Sequence, residues 1–376
     1  MARASRTAGG TRRAAAPRGV AVAVAAATLW LSPSSPSRAA DPTGAPPWGA
    51  EAGRGSAATQ VETLTATGSL PAHLAGRFRE PVQFAQISTG EFLVLDRRAH
   101  TVSRIDRAMT RVTQVIDIGF EAGRLLAPTA LAVGPNDVFA VADAPASHER
   151  IQYFTGGGSP LGAFFLNTRV APRLSIGPLV LNGVGSLQFT GRSFFVNRPE
   201  SGGLVTELDM QGHPVRHFGL LRQTGHETDP ALHLAFNVGL PLVDPTGGVY
   251  FVFQSGAPLF RKYDERGALV FERHIEGVEL DGRLQALPTT WPERETETGS
   301  YPIVTPLVRT AAVDSEGRLW VSLVTPFTYV YDQRGDKVRT VRFEAAGPVS
   351  PTSLFFTADG RLLLTPGCFV FETKPG

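Results

Sequence analysis

The chain has 376 residues, 36 Lys and Arg against 34 Asp and Glu, a formal charge of +2 and a single cysteine. Residues 1–40 hold six arginines and no acid, so their removal moves the formal charge to about −4; a mildly acidic body excludes nucleic acid as the main partner, because phosphate binding needs a basic field. One thiol excludes an internal disulfide and leaves burial and hydrogen bonding to hold the fold.

In chain order, Arg3, Arg6, Arg12, Arg13 and Arg18 precede an apolar stretch from Gly19 to Leu31, and Ser37-Arg38-Ala39-Ala40 follows with small residues. This pattern predicts a secretory signal over 1–40, cleaved near Ala39/Ala40 and too short to span a membrane. The mature protein is therefore expected to be exported, periplasmic or extracellular, without a membrane span. Arg12-Arg13 also fits a twin-arginine signal, so the export route stays open. Residues 41–57, rich in Pro, Gly and Ala, are expected to be a flexible linker, and 58–376 the folded domain.

Within that domain one short pattern recurs: an apolar run, a tight turn, a second apolar run, a polar loop and a third run. The turn falls at Gly90, Asp137, Gly191, Gly248, Gly317 and Gly360, at spacings of 47, 54, 57, 69 and 43 residues. The run after each turn is β-branched and aromatic, as in Phe92 to Leu95 and Val249 to Phe253, which predicts strands buried on both faces. Asp209-Met210-Gln211-Gly212, Asp264-Glu265-Arg266-Gly267 and Asp332-Gln333-Arg334-Gly335 predict hairpin turns between third and fourth strands. Several strands per unit at this period predict an all-β, six-bladed β-propeller of four-stranded antiparallel blades. The sixth unit has three strands before Gly376, and Gln60 to Thr67 alternates in polarity without a unit of its own. That N-terminal strand is expected to complete the last blade as its outer strand, closing the ring without a weak seam.

Pro128 through Phe154, with Val141-Ala142-Asp143 and Arg150-Ile151-Gln152-Tyr153-Phe154, resembles an NHL-type repeat, and Pro81 through Asp106 resembles it less closely. Asn197 and Gln254 stand where that motif has Asp in units three and four; Leu323 and Pro366 stand there in units five and six. The resemblance implies a six-bladed propeller. It selects no chemistry, since such proteins range from binding modules to lactonases and lyases.

In a four-stranded meander the blade-to-blade connections share a face with the loops between second and third strands. The long connections, Asn167 to Leu181, Leu220 to Asn237 and Ile275 to Pro306, therefore crowd one rim of the ring. On that rim units one to three supply Arg97, Arg98 and His100, then His148, Glu149 and Arg150, then Arg198 and Glu200, whereas units four to six supply neutral loops. A rim half cationic and half apolar suits an anionic ligand with an apolar body. First strands line the channel, so Arg79, Glu80, Asn182, Asn237 and Arg309 are expected near one mouth.

Glu80 before Pro81 is distantly similar to gluconolactonase-type propellers, which implies Glu80 and Asn182 as ligands of a divalent cation; Arg309 would oppose that cation. His226 and His233 form the densest set of other metal-ligand types, on a segment read as a loop interrupted by Pro230. Streptogramin-lyase-like propellers use His and Glu from separate blades, a part His148 could take. Trp291 is read as a loop pin or a lid anchor, and Cys368 as a buried structural thiol. No cofactor is predicted, with a divalent cation left open. The reading is an exported, monomeric propeller that binds a small molecule or protein at the loop-rich face. Its alternative is a propeller hydrolase or lyase centred on Glu80, His148 or His226, and a third reading is a structural module.

Overall fold

The second strand of each unit has no polar face to offer water, so it must be covered on both sides. Phe92–Asp96, Phe139–Asp143, Val249–Phe253 and Leu319–Leu323 are buried along their whole length. The computed structural model describes residues 60–373 except 170, 171, 177, 178, 183, 297 and 298, and places each of these runs second in an antiparallel sheet. The expected signal and linker lie outside the described residues.

Six such sheets follow one another. Blade 1 runs Pro81–Gln86, Phe92–Asp96, Thr101–Ile105, Val112–Ile116. Blade 2 runs Ala130–Val133, Phe139–Asp143, His148–Phe154, Pro160–Arg169. Blade 3 runs Leu187–Phe189, Phe194–Val196, Val205–Leu208, Pro214–Phe218, and blade 4 Gly239–Val243, Val249–Phe253, Leu259–Tyr263, Leu269–His274. Blade 5 runs Val308–Val313, Leu319–Leu323, Thr328–Tyr331, Lys337–Glu344, and blade 6 Ser353–Phe356, Arg361–Thr365, Phe369–Glu372. The fold is a six-bladed β-propeller.

The turns follow the residues. Gly90, Gly191, Gly248, Gly317 and Gly360 take φ of 83°, 85°, 80°, 77° and 83°, and Asp137 takes 59° at the same place in blade 2. Left-handed backbone is cheap for Gly and tolerated by Asp, which is why the ruler was readable. At the outer hairpins, Asp209 Oδ1 accepts from Gln211 N and His213 N, both at 2.8 Å, and Asp332 Oδ1 from Arg334 N at 2.9 Å and Asp336 N at 3.0 Å.

The core lies between blades rather than within them. Phe139 and Phe154 of blade 2 pack with Leu93 and Leu95 of blade 1; Phe251 and Phe253 of blade 4 pack with Phe195 and Leu204 beside them. Leu242 and Tyr250 meet Val321 and Tyr331 of blade 5, whose Trp320 and Val330 meet Leu362 and Phe371 of blade 6. The ring closes where Phe84 and Val94 of blade 1 join Leu363 and Val370 of blade 6.

The N-terminal strand closes the last blade, but not with the residues expected. Gly68–Ser69 pairs antiparallel with Phe369–Glu372 and serves as the fourth strand of blade 6. Val61–Thr65 instead lies parallel to Lys337–Glu344 and extends blade 5 to a fifth strand. There Glu62 accepts two bonds from Arg339, each 2.8 Å. Alternating polarity marks a half-exposed edge strand, but it does not say which edge the strand joins. The segment thus bridges both sides of the last interface, and Leu70, 4% exposed, anchors it in the core with Leu74 and Leu363.

Candidate functional site

At one end of the channel the first strands open into a cavity of about 350 Å³. Its walls come from residues just before first strands, such as Gly185 and Val238, and just after second strands, such as Asn197 and Pro366. This is the face of the blade-to-blade connections. Deeper along the axis all six first strands line a further cavity of about 200 Å³, including Gln83, Leu131, Gln188, Leu242, Ala312 and Ser353.

Charged and aliphatic residues share the mouth, with amides and hydroxyls among them. Blades 1, 5 and 6 contribute Glu80, Arg97, Arg309 and Thr352; blades 3 and 4 contribute Leu187, Val238, Leu240 and Leu242, with the amides Asn197 and Gln254.

Glu80 is set by Asp96 at the end of the neighbouring strand. The Asp96 carboxylate accepts from the backbone N–H of Arg79 at 2.6 Å, of Glu80 at 3.1 Å and of Ala99 at 3.0 Å. Arg97, the next residue, then meets the Glu80 carboxylate with two donors, Nε at 3.2 Å and an Nη in a tighter contact. The two charges cancel locally.

Arg309 differs. Pairing of Val308–Val313 with Leu319–Leu323 slips between Val308 and Thr310, leaving Arg309 as the extra residue of a bulge. Bulges re-aim side chains and are frequent beside functional sites. Among the described residues its Nε has no hydrogen-bond partner although it is shut off from solvent, and no carboxylate pairs with the guanidinium. Burial pushes its pKa down from the usual arginine value, with no acid to offset it.

Of the expected mouth residues, Glu80 and Arg309 line one cavity. Arg79 is exposed outside it. Asn237 is fully buried and structural: its Oδ1 accepts from Arg222 N at 2.9 Å and its Nδ2 donates to His233 O at 3.0 Å. Asn182 ends the strand Leu179–Asn182, outside the residues whose side chains are described.

The expected cationic rim is built differently. Arg97 reaches the cavity; Arg98, His100, His148, Arg150 and Arg198 do not line it. Arg150 is 2% exposed and grips Asp143 at 2.9 and 2.6 Å while donating to the carbonyls of Phe120 at 2.7 Å and Arg124 at 2.9 Å. Its charge is consumed inside blade 2. Arg198 pairs with Glu200 at 3.2 Å. His100 Nδ1 accepts from Ala127 N–H at 3.2 Å, His148 Nδ1 donates to Ala146 O at 3.0 Å, and Arg98 is exposed.

The segment around His226 is not the loop expected. Pro230–Phe236 is a helix, with Asp229 capping Leu232 N at 3.1 Å and Pro230 at its first position. Proline there starts a helix, because that N–H would be unpaired anyway. His226 stacks on Phe236 with centroids 5.4 Å apart, while His233 Nδ1 sits 2.8 Å from Thr224 Oγ1. Trp291 packs edge-on against Phe236 at 5.4 Å, joining two long connections to each other. Among the described residues no three His, Cys, Asp or Glu side chains converge as a metal set. A cation beside Glu80 would face Arg97 and Arg309 in the same cavity, so this donor set does not fit one.

Three side chains take parts that the sequence reading above does not assign them. Asn197 and Gln254 line the mouth from the motif position that Asp96 and Asp143 hold in blades 1 and 2, a place that could have identified them. Arg222 donates to the carbonyls of Phe236 at 2.5 Å, Ala257 at 2.7 Å and Ser255, tying a long connection to blade 4. No local pattern marked it. Burial pushes its pKa down to about 10.

No protein-family model matches the chain, and no curated protein matches it. Among solved structures it is similar to virginiamycin B lyase from Staphylococcus aureus, at 12% identity over 76% of this chain and 77% of that one, with a TM-score of 0.46. It is also similar to the PQQ-bound aldose sugar dehydrogenase of Streptomyces coelicolor, at 13% identity over 81% and 96%, TM-score 0.46. A third is Kuenenia stuttgartiensis hydrazine synthase, at 13% identity over 77% and 93%, TM-score 0.45. Likeness at this level selects no activity; the blade count stands on the sheets themselves.

Proposed function

We propose that the chain is an exported, monomeric, NHL-like propeller that binds a small molecule in the channel mouth on its loop-rich face. The observation that carries this is the cavity of about 350 Å³ where the first strands open, lined by a few charged and amide groups among apolar residues. Ligand sites are of this kind: concave, largely apolar, and oriented by a few placed polar groups, at volumes of roughly 300–1,000 Å³. Export rests on the arginine-led apolar segment that ends near Ala39/Ala40. The hydrolase or lyase reading gains less support, because neither His148 nor His226 lines the cavity that Glu80 lines.

Gly185 provides the test. It lines the mouth, and a Cβ built on it meets nothing within 4 Å. A side chain at Gly185 starts in open space, so Gly185→Trp is expected to crowd the mouth without disturbing the blades. A thermal-shift screen of small metabolites is expected to yield ligands that stabilise the wild type and not Gly185→Trp, with the two ligand-free melting temperatures alike. Ligands that stabilise both proteins equally would place binding elsewhere and overturn the reading.

A further inference from the structure

The charge layout of the mouth specifies a ligand class, an inference that rests on the small-molecule reading above. Two guanidiniums and one carboxylate line the cavity. Arg97 and Glu80 neutralise each other through two hydrogen bonds. Arg309 has no such partner among the described residues, its Nε is buried without a hydrogen bond, and it stands on a bulge. Arg309 is half-buried, and a buried guanidinium N–H left without an acceptor is costly unless something supplies one. No acid among the described residues does so, and a ligand in the cavity can.

We infer that the mouth recognises a monoanionic organic acid with an apolar body, its carboxylate on Arg309 and its body on Leu187, Val238 and Leu240. The planar fork of arginine matches the two oxygens of a carboxylate. The single charge follows from the count: a second negative group would face Glu80, whose neutralising partner is already engaged. The apolar body follows from Leu187, Val238 and Leu240, aliphatic side chains that blades 3 and 4 present to the same cavity. The rim arginines that the sequence suggested do not take this part. The anchor comes from blade 5, whose loops are neutral.

The test uses the full chain, a pair of probes of matched body, 4-phenylbutyrate and its primary amide, and phenyl phosphate as a dianion with a phenyl body. Isothermal titration is expected to show the acid binding more tightly than the amide by roughly ten- to a hundredfold, the range of a charge-assisted hydrogen bond. Arg309→Gln should erase that ratio by weakening the acid and leaving the amide as it was. Glu80→Gln, which keeps the shape and releases the charge of Arg97, should raise phenyl phosphate affinity by about tenfold and serves if Arg309→Gln does not fold. Equal binding of acid and amide, or an unchanged ratio in Arg309→Gln, would overturn this inference and leave the small-molecule reading standing. An unchanged phenyl phosphate affinity in Glu80→Gln would likewise overturn it. Binding of the acid to Gly185→Trp as tightly as to the wild type would overturn both.

Discussion

Gln254 holds the backbone of Arg309 and of the two residues before it. Its carbonyl accepts from Leu307 N at 2.7 Å and Val308 N at 3.2 Å, and its Nε2 donates to Arg309 O at 3.4 Å. Blade 4 thus fixes where blade 5 places the Arg309 guanidinium, and Gln254 is a positioning residue for it. Gln254→Ala keeps the backbone bonds and loses one side-chain bond, worth about 1 kcal/mol. Chemical denaturation is expected to register that small loss, while acid affinity falls with it; an unchanged affinity would detach Gln254 from the site.

Arg150 is predicted to be a stability residue and not a ligand residue. Replacing it with Met leaves Asp143 buried without its charged partner and removes the bonds to the carbonyls of Phe120 and Arg124, the latter still bonded by Gln152. Breaking a buried pair from one side costs about 3–5 kcal/mol. Urea titration should show a loss of that order, and a loss below about 1 kcal/mol would contradict the assignment.

The ring closure is predicted to depend on Leu70 more than on the ion pair beside it. Leu70→Ala removes a buried side chain from the interface of blades 6 and 1 and should cost about 2–5 kcal/mol. Glu62→Gln touches a half-exposed pair with Arg339 and should cost about 0–1 kcal/mol. The reverse order in thermal denaturation would contradict the closure described.

Much of this was legible because the residues leave the backbone little choice. Positive φ at Gly90 or Gly317 and self-bonded turns at Asp209 or Asp332 write the blade count directly into the chain. Pairing partners were less legible. Val61–Thr65 reads as an edge strand by its alternation, yet nothing in it distinguishes blade 5 from blade 6. The helix Pro230–Phe236 was misread because proline ends a helix from inside and begins one from Asp229. Counting rim charges failed for a local reason: Arg150 has Asp143 seven residues before it and Arg97 has Glu80 across the strand pair, so their charge is used within their own blades. Arg309 was placed by aligning first strands. Its lack of a partner depends on a bulge and on distant blades, which no sequence spacing encodes.

Acid should weaken the fold through its hairpin aspartates. Hydrogen bonds from Thr110 and Arg111 hold the Asp106 carboxyl below its usual value of 3.8, and bonds from the backbone of His213 and Gln211 do the same for Asp209. Groups with depressed folded values contribute stability above pH 3.8 and lose it as the pH falls through the folded value. Denaturation midpoints at pH 3 should lie below those at pH 7, and the double variant Asp106→Asn with Asp209→Asn should flatten that difference. An undiminished acid dependence in the double variant would assign it elsewhere.

Cys368 should be silent in the folded state. It is 2% exposed, and burial pushes its thiol up to about 12. A disulfide-exchange reagent at neutral pH is expected to label it only after unfolding. Stoichiometric labelling of the native protein would contradict this.

The central claim, that Arg309 is the anchor for a ligand anion in the channel mouth, is tested most directly by protection mapping. Phenylglyoxal modification followed by peptide mass analysis reads individual arginines, and the exposed Arg98 on the neighbouring rim serves as the internal control. The account predicts that 4-phenylbutyrate protects Arg309, that its amide does not, and that Arg98 reacts alike in both. Arg309 reacting at the same rate with saturating acid as without it would contradict the account.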